Sequence, residues 1–125
     1  MQLTKNFNLS EFRCKDKAGT PVPDDLIPNV TALANSLQVL RDYLNVPIQI
    51  VSGYRTEEHN REQGGVKDSQ HLLAKAADIV VKTLKPEDVA EVIEMLIDNK
   101  RILQGGIGVY PGFVHYDIRG NKARW

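Results

Sequence analysis

His71 and Asp78 lie seven positions apart in Ser69-Gln70-His71-Leu72-Leu73-Ala74-Lys75-Ala76-Ala77-Asp78-Ile79-Val80-Val81, and another histidine follows in Phe113-Val114-His115-Tyr116-Asp117. This placement constrains the fold more than any other feature of the chain. Seven positions span ~10 Å along a continuous helix and ~23 Å along a continuous strand, whereas the donors of one zinc ion sit only ~2 Å from the metal. For these side chains to serve one ion, the chain has to turn back between residues 71 and 78. The expectation is a loop carrying His71, a strand opening at Asp78, and His115 on a neighbouring strand. Two imidazoles and a carboxylate form a nitrogen and oxygen set that suits Zn²⁺ and leaves a fourth position for water, as catalytic sites do.

The remaining elements follow from local patterns. Asn8 or Ser10 can cap a short helical turn ending at Phe12. Asp16 to Pro28 holds Gly19, Pro21, Pro23 and Pro28 and reads as a loop. Val30, Leu33, Ala34, Leu37, Leu40 and Leu44 recur at helical spacing, which predicts an amphipathic helix over about 28–45. Ile48 to Ser52 alternates as a strand does. Thr56 can cap a second helix, with Glu57 and Glu58 in its first turn and Gly64-Gly65 at its end. A strand is expected over about 77–82. Pro86-Glu87-Asp88 is a strong helix start, and Val89, Val92, Ile93, Leu96 and Ile97 then define an apolar face. Residues 107–110 and 113–118, separated by Pro111-Gly112, read as an antiparallel hairpin. Trp125, at the end of the tail from Arg119, is expected to pack back on the domain. The order predicts an α+β fold: a small, mainly antiparallel sheet with helices packed on one side.

At 125 residues, one domain spanning 1–125 is expected. The formal net charge is +0, which argues against a nucleic-acid surface or an anionic membrane surface built on bulk charge. No run approaches transmembrane length, so no membrane insertion is expected. Cys14 is the only cysteine. It rules out an internal disulfide and a cysteine-rich metal site, and it reads as a small buried apolar residue. Met1 to Phe7 lacks the apolar core of a signal peptide, so the chain is expected to be cytoplasmic as synthesised. A monomer is expected.

Three motifs now stand in order: Ser52-Gly53-Tyr54-Arg55-Thr56, Ser69-x-His71 with Asp78 following, and Val114-His115-Tyr116-Asp117. With them the chain resembles the zinc D-Ala-D-Ala carboxypeptidase family of peptidase clan MD, whose fold is shared by vancomycin-resistance D,D-dipeptidases, phage L-alanyl-D-glutamate endolysins and the hedgehog signalling domain. The likeness runs from Asn6-Phe7 to Arg124-Trp125 and is nearest to the short, single-domain branch of bacteria and their prophages. The resemblance implies one Zn²⁺ on His71, Asp78 and His115, and a peptidoglycan peptide as substrate. It implies that Arg55 stabilises an oxyanion or holds a substrate carboxylate, and that Ser69 helps to hold the peptide. Release to the periplasm or cell wall by a phage system, or association with a virion, fits the same group. Many relatives carry an acidic general base three positions before the last ligand histidine. Here that slot is Gly112, and Asp117 is the nearest substitute. Asp117 shares a strand face with His115, so it can act as the base or orient the imidazole.

The expected chemistry is peptide-bond hydrolysis. Zinc acidifies its bound water to a pKa of about 7 and polarises the carbonyl, a carboxylate relays the proton to the leaving amine, and Arg55 stabilises the developing charge. Taken singly, each residue has a plainer reading. His71 can be a surface histidine, Asp78 a loop end, His115 a half-exposed strand residue, Arg55 a partner of Glu57 or Glu58, and Ser69 a loop cap. His59 is expected to be solvated, and Tyr54, Tyr110 and Trp125 to pack in the core. Two other classes compete with the enzyme: a zinc-containing module that binds cell wall without cutting it, and a structural or lysis component of a phage. Carboxypeptidase and endopeptidase activities stay open.

Overall fold

The computed structural model describes residues Met1–Trp125. The first long helix, α1 (Ile27–Leu44), carries Pro28 in its first turn, where a missing N–H is harmless. It stops at Asn45, which takes the left-handed conformation (φ 56°) that asparagine tolerates. Its face of Val30, Leu33, Ala34, Leu37 and Leu40 is buried. The last helix, α3 (Pro86–Asp98), again starts with proline and buries Val89, Ile93, Leu96 and Ile97. Between them lies α2 (Glu57–Glu62), short and capped by the Thr56 side chain.

Five strands make one sheet: β1 (Gln49–Ser52), β2 (Ala76–Val80), β3 (Gly106–Val109), β4 (Val114–Asp117) and β5 (Ala123–Arg124), in spatial order β1-β2-β4-β3-β5. All pairings are antiparallel except β3 with β5. Strand periodicity splits the side chains between two faces. Ala77 and Ile79 on β2, Val114 and Tyr116 on β4, and Ile107 on β3 join α1 and α3 in one hydrophobic cluster. Asp78, His115 and Asp117 therefore fall on the opposite, polar face. The apolar face thus fixes strand register, and register fixes which polar side chains meet.

The α+β layout expected from the sequence holds, with element ends shifted by one or two residues. The parallel strand β5 is additional, because two residues carry no readable alternation. It is tied to α3 by a bidentate ion pair, with Arg124 Nε donating to Glu94 Oε2 at 2.7 Å and Nη2 to Oε1 at 2.8 Å. The hydrogen bond from Arg124 comes first in lowering the Glu94 pKa, ahead of the opposing effect of burial. A depressed carboxyl stabilises the fold above its ordinary pKa and loses that contribution as pH falls through the folded value. Both groups are partly exposed, so the pair is worth at most about 1 kcal/mol. Glu94→Gln is expected to lower Tm by about 2–4 °C at neutral pH. Melting curves should show the difference closing as pH drops through the carboxylate range; a constant difference would contradict the ion-pair account. No helix is long and apolar enough to cross a membrane.

Candidate metal centre

The required turn between His71 and Asp78 is made by a 3-10 helix, Gln70–Leu73. Ser69 caps it, its Oγ accepting from His71 N at 3.2 Å. Ala74 then adopts φ 56°, a conformation that costs a non-glycine residue about 1–2 kcal/mol, and this reverses the chain into β2. Arg55 N donates to His71 O at 3.0 Å, fastening the turn to the segment after β1. On its other side this segment lies against Phe12, where Tyr54 N donates to Phe12 O at 2.9 Å and a Cβ on Gly53 would come within 2.9 Å of the Phe12 backbone. An extra residue in β1 between Ile50 and Ser52 brings Ser52 opposite Asp78, as a bulge does when it re-aims a strand. Asp78 also pairs across the sheet with His115.

His71, Asp78 and His115 are all buried, and their donor atoms lie within 4.8 Å of one another. His71 Nε2 is 3.4 Å from Asp78 Oδ2, and His115 Nδ1 is 3.1 Å from Asp78 Oδ1. The opposite ring nitrogens have acceptors of their own. His71 Nδ1 lies 2.7 Å from Gly53 O, and His115 Nε2 lies 2.6 Å from Asp117 Oδ2. A carbonyl can only accept, so His71 carries a proton on Nδ1, whereas His115 stands between two carboxylates, Asp78 at Nδ1 and Asp117 at Nε2. His71 Nε2 and His115 Nδ1 both face the Asp78 carboxylate, so three potential metal donors converge on one point. Donors on a tetrahedral zinc stand about 3.4 Å apart, close to these spacings. The nitrogen and oxygen set and its separations fit a zinc ion.

The three side chains are also coupled electrostatically. Burial raises the Asp78 pKa, but hydrogen bonds from His115 and His71 outweigh it and hold the carboxyl well below the usual carboxylate range. Burial lowers the His115 pKa; its bonds to Asp117 and Asp78 outweigh that and raise it. Arg55 pairs with Asp78 (Nη2 to Oδ2, 3.3 Å) rather than with the glutamates beside it in sequence. Its Nε donates to Ser52 Oγ at 3.2 Å.

Asp117 is 0% exposed. Its Oδ1 accepts from Gly106 N, Arg119 N and Arg119 Nε, and its Oδ2 accepts from His115 and from Arg119 Nη2. Burial pushes its pKa up, yet these bonds hold it well below the carboxylate range. It meets the imidazole on the side turned away from Asp78. At Gly112, the usual acidic slot, a Cβ would find nothing within 4 Å.

Several neighbours depart from expectation. His59 is buried (9% exposed) rather than solvated. It faces a small cleft shared with Asp16, Lys17 and Ala18, whose approach no helical pattern records. Tyr110 and Trp125 are 36% and 49% exposed instead of packing in the core. Trp125 does return to the domain: its ring centroid is 5.0 Å from that of His115, and its Nε1 donates to Tyr110 Oη at 2.7 Å. Tyr54 is half-buried and lines a cavity of about 830 Å³, together with Arg55, Glu57, Ser69, Leu72 and Leu73. Ser52, Asn60 and Arg119 also belong to this environment, and sequence reasoning misses the parts they play. The one readable sign for Asn60 is Gly65, which looks there like a simple helix stop.

A protein-family model described as Peptidase M15 matches residues 5–117. No curated protein matches the chain.

Proposed function

Since this chain belongs to the peptidase M15 family, we propose that it hydrolyses peptide bonds in peptidoglycan stem peptides, with one zinc ion held by His71, Asp78 and His115. One observation carries the proposal: two imidazoles and a carboxylate, all buried, bring their donor atoms within 4.8 Å of one another. The ion's contribution is Lewis acidity, which acidifies water to a pKa of about 7 and polarises a carbonyl. Asp78 supplies the negative charge of the site, and Arg55 beside it balances the charge that develops in the reaction. Arg55 has five N–H donors, of which Ser52, Asn60 and Asp78 take one each. The two others are left for a substrate oxygen. Ser69 accepts a bond from His71 N, so its own hydroxyl proton is free to donate to a peptide carbonyl. The cavity of about 830 Å³ that both residues line has room for several residues of a peptide.

Asp117 serves this reading as the residue that orients His115. A carboxylate this strongly acidic and this fully hydrogen-bonded is a poor proton acceptor at neutral pH.

Metal analysis of the purified protein, followed by mass spectrometry of a defined muropeptide after digestion, tests the proposal. Loss of one terminal residue identifies a carboxypeptidase, and two larger fragments identify an endopeptidase. The bare Gly112 and the saturated Asp117 favour a second reading, a zinc-holding module of the cell wall or of a phage lysis system that binds without cleaving. Zinc-loaded protein that sediments with cell walls and releases no product from any muropeptide would select it.

Arg55→Ala is expected to lower kcat by about 10²–10³ while bound zinc stays stoichiometric. Arg55→Lys should recover little, since a point charge cannot make three fixed bonds. Loss of zinc from Arg55→Ala would instead make Arg55 a support for Asp78.

A further inference from the structure

Arg55 can serve a reaction only while its guanidinium stays aimed, and a buried residue outside the ligand set controls that aim. Asn60, on α2, is buried. Its Oδ1 accepts from Arg55 Nη1 at 3.2 Å, and its Nδ2 donates to Val66 O at 2.9 Å. The amide has only one workable orientation. A guanidinium only donates and a carbonyl only accepts, so exchanging its two ends would set donor against donor and acceptor against acceptor. The Asn60 backbone is fixed as well, its N–H bonded to Thr56 O at 2.9 Å and its C=O accepting from Gly65 N at 2.8 Å.

Gly65 closes the arrangement. A methyl group there would collide with Asn60 Oδ1, so the position has no room for a side chain while the bond to Arg55 stands. Bonds at Nε and Nη2 hold the guanidinium along one edge; the bond from Nη1 to Asn60 fixes the far corner and hence its plane. Asn60, Gly65, Lys67 and Asp68 line the same cavity as Arg55 and Ser69. The amide therefore links the cavity wall to the cation that faces Asp78.

We propose that Asn60 is a positioning residue, which sets the plane of Arg55 and couples it to the 64–68 segment walling the cavity. The catalytic part of this rests on the peptidase reading above; the positioning part does not. The test uses the full zinc-loaded chain with Asn60→Ala, Gly65→Ala, Arg55→Ala, and Asn60→Ala combined with Arg55→Ala. On a defined muropeptide, Asn60→Ala and Gly65→Ala should each lower kcat by about 10–100-fold, with KM and zinc affinity near those of the parent. The double variant should be no slower than Arg55→Ala, because the amide acts through the guanidinium. Full additivity, or an unchanged kcat, would overturn the proposal. If Asn60→Ala fails to fold, Gly65→Ala carries the same test.

A second readout needs no turnover. The Arg55 Nε–Hε resonance, identified by its loss in Arg55→Lys, should be sharp in the parent and broadened in both Asn60→Ala and Gly65→Ala. An unchanged resonance overturns the positioning role even in an active enzyme. A broadened resonance in a protein that cleaves nothing would leave the positioning role standing and remove only the peptidase reading.

Discussion

Replacing His115 with alanine is expected to weaken zinc binding by more than the roughly hundredfold typical of losing an outer hydrogen-bond partner, and to abolish hydrolysis. The ring is one of three proposed donors, so its loss leaves one imidazole and one carboxylate, too few for a catalytic zinc. The fold should survive, because His115 points away from the hydrophobic cluster of β2, β4 and the helices. A built-in reporter makes the result easy to read. Trp125 is the only tryptophan, and its ring lies 5.0 Å from that of His115. Titrating metal-free protein with zinc should change the Trp125 emission, and cobalt should quench it. Neither response should appear in His115→Ala, whose circular dichroism should match the parent. Parent-like zinc affinity in that variant would end the metal-site reading.

Substitution of Asp117 should have the largest effect on stability and also separates its two candidate roles. The carboxylate accepts bonds from His115, from Gly106 N and from three nitrogens of Arg119. Asp117→Ala strands a buried N–H and leaves a partly exposed guanidinium without its partner, at a cost of about 1–3 kcal/mol, readable as a lowered denaturant midpoint. Asp117→Asn keeps the shape but sets an NH₂ group against donors on one side. Its easiest relief is a His115 that accepts at Nε2 and keeps its proton on Nδ1, the nitrogen facing Asp78. An orienting role therefore predicts that zinc affinity falls about 10–100-fold together with activity. A base predicts the opposite split, with kcat lost and zinc affinity unchanged. Competition with a chromophoric chelator, run beside muropeptide kinetics, distinguishes the two.

The elements that bury one face are legible in the amino-acid pattern alone. α1 and α3 repeat their apolar residues at helical spacing, and both carry proline in the first turn and are followed by asparagine. β4 alternates, which puts His115 and Asp117 on one face, and the pairing of β2 with β4 sets Asp78 opposite His115. Spacing requires the reversal between His71 and Asp78, although its means, a capped 3-10 helix closed by a left-handed Ala74, leaves no local pattern to read. The departures share one cause. The pattern of their own segments assigns His59, Tyr110 and Trp125, while their surroundings come from distant ones: the 16–18 loop beside His59, and the parallel pairing of β5 with β3 that carries Trp125 to His115.

By itself, the sequence determined the α+β layering, the face on which the candidate site lies and the types of donor that meet there, because periodicity and spacing are local properties written in residue order. Tertiary structure alone decided which ring nitrogens face Asp78, that Asp117 is saturated by Gly106 and Arg119, and that Asn60 holds Arg55. Those outcomes depend on hydrogen-bond partners many residues away, and packing of the hydrophobic core brings such partners within reach.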